Sequence, residues 1–291
     1  MITSKLKQDL LGWGYGFLGI LIFSLTLPAT RIAVAELDPV FVGLGRAIVA
    51  ACLSLILLIF TGQTIPAWRF LPRFILVIAG VIIGFPLLSA IALRNTPASY
   101  SAVIVGLLPL STAFFGVWRG KENVSKSFWI FVLIGSGLVM CFAFVSDKEV
   151  ISLVDLALLL SAVLAGGMGY AEGAILSRTF GSWQVICWSL LLSTPVLLPI
   201  VWQHFPHSMD SISINAWLGF FYVSVFSMFL GFIAWYRGLS IGGIAKVSQI
   251  QLIQPFLTIL ESAILLDESL DITTLSFAVG VILCVLLGKR T

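Results

Sequence analysis

The chain has 291 residues, 59% of them hydrophobic and only 10% charged, with a formal net charge of +3 and a mean hydropathy of +1.11. Soluble domains carry about 25% charged residues, so this composition leaves too little polar surface for a fold in water. It holds no polybasic cluster or soluble module for nucleic acid, and no short alternating segments of the kind that build a membrane barrel.

Repeated apolar runs match the roughly 20 residues a helix needs to cross a hydrocarbon core of about 30 Å. The expected fold is an all-α polytopic membrane protein with ten transmembrane helices. In chain order these are Trp13–Ala33, Pro39–Phe60, Phe74–Leu93, Ser99–Val117, Phe128–Phe144, Leu153–Leu176, Val185–Trp202, Ala216–Tyr236, Val247–Leu266 and Thr274–Leu287. Basic residues precede the first run without a small-residue cleavage site, which reads as a retained span and not a removed signal peptide. Cys52, Cys141, Cys187 and Cys284 each sit in an apolar run with no CxxC spacing, as small packing residues do.

Positive residues favour the cytoplasmic side. With the N-terminus inside, twelve lysines and arginines fall in inner segments, and only Arg31, Arg94 and Lys148 in outer ones. Both termini are therefore expected in the cytoplasm. Arg46 is left inside the second span.

A repeat underlies the order. Pro109 lies thirteen residues before Glu122, and Pro255 thirteen before Glu268, the two motifs being 146 positions apart. Spans one to five and six to ten form two halves, residues 1–148 and 149–291, and five being odd, the second enters the membrane inverted. Inverted repeats characterise carriers with a site near the midplane between the halves.

The phrases GLLPLSTAFFGVWRGKE and QLIQPFLTILESAILLDE, with Pro109 and Pro255 as helix-breaking positions, resemble the fourth and ninth spans of the EamA family of the drug/metabolite transporter superfamily. Arg46 in FVGLGRAIVA is similar to an arginine that often follows the first loop in that family, whereas Ser189 stands where the second half would carry its equivalent. The resemblance covers nearly the whole chain and implies a secondary carrier of the bacterial inner (plasma) membrane, most often an exporter of amino acids or related metabolites. It implies no enzyme activity, cofactor or metal.

A charge at mid-membrane costs at least about 2.5–3.5 kcal/mol, so each needs a reason. Arg46 can receive a substrate carboxylate through its planar fork of donors, or serve as a structural arginine paired with a carboxylate or reaching the outer interface. Glu172, in a glycine-rich part of span six, can bind a substrate ammonium, take a proton, or partner Arg46. Glu261, six residues past Pro255, is a coupling or structural charge. Gln251 and Gln254 share a helix face, and Pro255 frees a carbonyl beside them, so they form a site wall or interhelical glue. Tyr100 and Tyr170 are cavity candidates, while Trp13, Trp202, Trp217 and Trp235 are expected in the interfacial belt.

Two motif matches carry little. The GxGxxG at Gly14–Gly19 has no strand before it and reads as helix packing, as do Gly80/Gly84 and Gly169/Gly173. The HxxH of His204 and His207 is interrupted by Pro206 and lacks a third ligand. No P-loop is present, so energy must come from a gradient, with protons a candidate coupling ion. The expected partners are a small-molecule substrate and membrane lipid. A monomer suffices and a dimer is compatible. Import of a vitamin or metabolite by the same architecture is the alternative, with a non-transporting membrane protein a further one.

Overall fold

The computed structural model describes residues 2–145 and 152–267, with Ser276, Val279, Gly280, Leu283 and Leu287. The described residues form helices joined by short loops, without a strand. The long helices are α1 (Lys7–Val34), α2 (Pro39–Phe60), α3 (Trp68–Leu93), α4 (Ala98–Gly120), α5 (Lys126–Val145), α6 (Leu153–Phe180), α7 (Ser182–Gln203), α8 (Ile214–Gly242) and α9 (Ile244–Leu266). All but α5 are long and apolar enough to cross a membrane; the apolar stretch measured in α5, Lys126–Leu138, is shorter. The expected tenth span and Glu268 fall largely outside the described residues.

Large apolar side chains such as Phe60, Phe114, Leu164, Val196 and Ile264 point outward from the bundle. A surface of that kind needs lipid to cover it. Asp38 starts α2 by accepting from the N–H groups of Val40 and Phe41, with Pro39 in the first turn where its missing N–H costs nothing.

The duplication is written in backbone geometry. Helix α4 breaks after Val105 and resumes over Leu108–Gly120, while α9 passes through a 3-10 stretch, Gln249–Ile253, and resumes over Gln254–Leu266. Both resumed helices have 13 residues with proline in the first turn. Both end on a left-handed residue, Lys121 at φ 51° and Asp267 at φ 55°, the two non-glycine residues of positive φ among those described. Each of these landmarks recurs at the 146-residue offset of the proline motif. A second pair of irregularities is the π-helical segments Ile78–Gly84 of α3 and Tyr222–Gly231 of α8.

The first part of α4 packs on the second part of α9, and the second part of α4 on the first part of α9, so the two broken helices cross antiparallel. Around them α1 packs on α8, α3 on α6 and α2 on α7. Every one of these contacts joins the two halves of the chain.

Glycines let the backbones meet. A Cβ on Gly80 would lie 2.5 Å from the Ala165 carbonyl oxygen and 2.7 Å from the Gly169 Cα. On Gly12 it would lie 2.6 Å from the Gly242 Cα, and on Gly16 it would meet Val247. The GxGxxG run therefore packs helices, as its apolar context indicates. Gly80→Ala is expected to cost about 1–3 kcal/mol, because fixed backbone cannot yield. Gly14→Ala, with nothing within 4 Å of the new carbon, is expected to be neutral. Thermal melting in detergent followed by size-exclusion compares the two.

Candidate functional site

The irregular segments converge on one enclosed space. Pro28 has no N–H, so the Ser24 carbonyl loses its helical donor and α1 breaks at Leu25. Thr258 Oγ1 donates to Ser24 O at 2.8 Å instead, Gln254 Nε2 to Phe23 O at 3.4 Å, and the Tyr222 hydroxyl to Ile22 O at 2.8 Å. Side chains of α8 and α9 thus replace the missing backbone donors, which is how non-helical backbone survives at membrane depth.

Beside this break lies a narrow cavity lined mostly by buried side chains. Its polar wall is Thr26, Arg46, Tyr170, Ser227 and Gln254; its apolar wall includes Phe23, Phe85, Met228 and Phe232. Both halves contribute, and the π-helical segments supply Val81, Ser227 and Met228.

Arg46 is 2% exposed. Its Nε has no hydrogen-bond partner, and the ion pairs among the described residues all use other arginines. A pairing with Glu172, one of the alternatives open from sequence, is not among them. Across the cavity Tyr170 stacks on Phe23 at 6.2 Å and meets Trp235 edge-on at 5.7 Å. Gln251 engages Tyr170 and reaches Gln254 at 3.5 Å, leaving its own Oε1 without a partner. Four of the residues singled out from sequence therefore gather here: Arg46, Tyr170, Gln251 and Gln254.

The others lie elsewhere. Tyr100 packs on a separate small cluster with Ala92, Ile104 and Leu159. Glu261 accepts from Ser24 Oγ at 2.8 Å, and its second oxygen is buried without a donor. Trp235 corrects the interfacial assignment: it is fully buried, with Gly19 of α1 against its backbone. Phe23, Thr26, Phe85, Ser227 and Phe232 escape sequence reading, because α1, α3 and α8 are apolar on every face; Pro28 is the one signal in the sequence for the break in α1.

Glu172 sits at one end of the bundle, 1% exposed, with Arg119 Nε 3.1 Å from one oxygen and Arg73 Nε 3.4 Å from the other. Beside it Glu122 accepts from Arg178 at 2.6 Å and from the N–H groups of Ile244 and Ala245 at 2.9 and 2.8 Å. A carboxylate at a helix start meets free N–H groups and the positive end of the dipole. Arg73, Arg119 and Glu122 come from the first half of the chain and Glu172, Arg178 and Ile244 from the second, so this end is tied shut across the halves.

At the opposite end an open depression is lined by Arg31, Glu36, Arg94, Asn95 and Ser213. Its one tie between halves among the described residues is Glu36, which accepts from the Ser213 N–H and hydroxyl at 2.6 Å each. Those bonds hold the Glu36 carboxyl below its usual value of 4.5. A depressed pKa favours the contact above the ordinary value and releases it as pH falls through the lowered one. Hydrogen exchange of residues 204–215, corrected for intrinsic rates, is therefore expected to rise in acid, below the ordinary carboxylate range, relative to pH 7. In Glu36→Gln it is expected to be raised at both.

The EamA-like transporter family model matches this chain twice, over residues 10–144 and 152–288. The chain belongs to the EamA-like transporter family. It is thereby a non-enzymatic, multi-pass membrane transporter of the drug/metabolite superfamily, with bacterial relatives and a plasma-membrane setting. It is 46% identical to the "Uncharacterized transporter YdeK" of Bacillus subtilis (strain 168) over 96% of this chain and 97% of that protein. The "Uncharacterized transporter YyaM" of the same organism is 27% identical over 84% of the chain and 83% of its own length. A solved crystal structure, 13% identical over 98% of this chain and 96% of its own, superposes with a TM-score of 0.76, which establishes the helix arrangement as a shared fold.

Proposed function

We propose that this EamA-family protein is a secondary carrier that moves small carboxylate-bearing metabolites, amino acids or related acids, outward by alternating access. The observation that carries this reading is the cavity around buried Arg46, walled by both halves where their irregular helices converge. The antiparallel crossing of α4 and α9 and the 146-residue recurrence of their breaks support two inverted five-helix halves, residues 1–148 and 149–291. Ten spans with both termini in the cytoplasm would put the Glu172 network on the inner side and the Glu36 depression on the outer. Breaking one set of ties while making the other is the motion such a carrier needs. Arg46, Tyr170, Gln251 and Gln254 are the proposed substrate contacts, and Glu261 the proposed coupling carboxylate. One chain supplies every wall of the cavity, so a monomer is a sufficient unit.

The test is efflux from proteoliposomes preloaded with mixed amino acids and related acids, with and without a pH gradient. Selective release of one compound, reduced at least tenfold by Arg46→Ala, is the expected result. No movement of any compound by folded protein would overturn the carrier reading.

A further inference from the structure

The charge balance of the cavity narrows what can fill it. Arg46, 2% exposed, places one positive charge in the cavity wall, and the described lining residues include no aspartate or glutamate. Thr26, Tyr170, Ser227 and Gln254 are neutral donors and acceptors. A buried charge without a counter-ion is strongly disfavoured, and its removal from water is repaid only by a close opposite charge.

Two described carboxylates, Glu172 and Glu261, share helices with the cavity residues Tyr170 and Gln254, and neither pairs with Arg46. Glu172 is already held between Arg73 and Arg119. Glu261 lies seven residues beyond Gln254 on the same helix, a rise of about 10 Å. In an α-amino acid the ammonium nitrogen and the carboxylate carbon are only about 2.5 Å apart. An α-amino acid seated on Arg46 would therefore hold its ammonium beside a guanidinium with no carboxylate among the described lining residues, and the occupied site would keep a net charge of +1. A monoanion brings it to zero. Phe23, Phe85 and Phe232, with Leu27, Val81 and Met228, leave apolar surface for the rest of the molecule.

We infer that the occupant is a small organic monoanion, a carboxylate on an apolar or aromatic body without an ammonium group; this rests on the carrier reading above. A direction follows from the charge. Each cycle carries one negative charge across the membrane, and an inside-negative potential favours its exit by about 50-fold in concentration per 100 mV.

The experiment uses the purified full chain in proteoliposomes adsorbed on a supported membrane, where concentration jumps give transport currents. The probes are three matched pairs: 3-phenylpropionate with phenylalanine, 4-methylpentanoate with leucine, and indole-3-propionate with tryptophan. Neutral acid leaking through lipid carries no charge, so current counts carrier movement alone. At least one acid is expected to give a current at least tenfold above empty liposomes, lost in Arg46→Gln and partly kept in Arg46→Lys. Radiolabelled uptake of its amino-acid partner is expected to be at least tenfold slower. Amino acids moving while no acid gives current would overturn the charge assignment and leave the carrier intact. A current that survives Arg46→Gln would also overturn it. No movement of any of the six by protein that elutes as a single folded species would remove both readings.

Discussion

Replacing Arg73 and Arg119 together by glutamine is expected to destabilise the protein by roughly 3–5 kcal/mol, the cost of stranding one member of a buried ion pair. Glu172 is 1% exposed, whereas the side chains of Arg73 and Arg119 are 46% and 37% exposed. The two sides of the interaction are therefore unequal. Removing the arginines leaves a carboxylate in the protein interior facing nothing. Removing the carboxylate, as in Glu172→Gln, releases two arginines that already touch solvent, and solvent screening keeps that loss to about 1 kcal/mol. The double arginine variant should melt well below Glu172→Gln in detergent.

The same variants separate structure from gating. Because the network joins Arg73 and Arg119 of one half to Glu172 of the other, its loss should favour the form open at this end. A cysteine at Ser177, buried one turn beyond Glu172, placed in a background without the native cysteines, reports this. Its alkylation by a membrane-impermeant maleimide is expected to speed up at least tenfold in Glu172→Gln, while the melting point barely moves. Unchanged alkylation would make the network a static brace.

What the sequence makes legible here is whatever a single residue type betrays. Pro109 and Pro255 break helices wherever they fall, so the repeat and its 146-residue period stand in the order of amino acids itself, and the left-handed turns at Lys121 and Asp267 keep the same offset. Arg46 is conspicuous because a charge in an apolar span has few explanations. Partnerships are not legible. Glu172 reads as a candidate for Arg46, yet the fold turns it towards Arg73 and Arg119, because Tyr170 and Glu172, two residues apart on one helix, point to different faces. Nor does an apolar helix announce which side meets lipid: Phe23 and Phe232 line the cavity while Phe60 and Phe114 point outward, and no periodicity separates them. Trp235 fails for the same reason, since a tryptophan near a helix end serves a belt or a core equally well.

Arg46→Met is expected to raise the melting temperature while abolishing transport. An arginine held in place by structure would behave in the opposite way, since removing it would strand its partner. Here no described carboxylate pairs with Arg46 and its Nε has no acceptor. The buried Nε without an acceptor is itself the strain. Methionine matches the length of the side chain's apolar stem and adapts to the gap beside Phe23, Phe85 and Phe232. The gain should be about 1–3 kcal/mol, part of the mid-membrane cost of an arginine, read as several degrees in thermal unfolding followed by tryptophan fluorescence. A melting point that falls in Arg46→Met would return Arg46 to a structural role and take the proposed anion site with it.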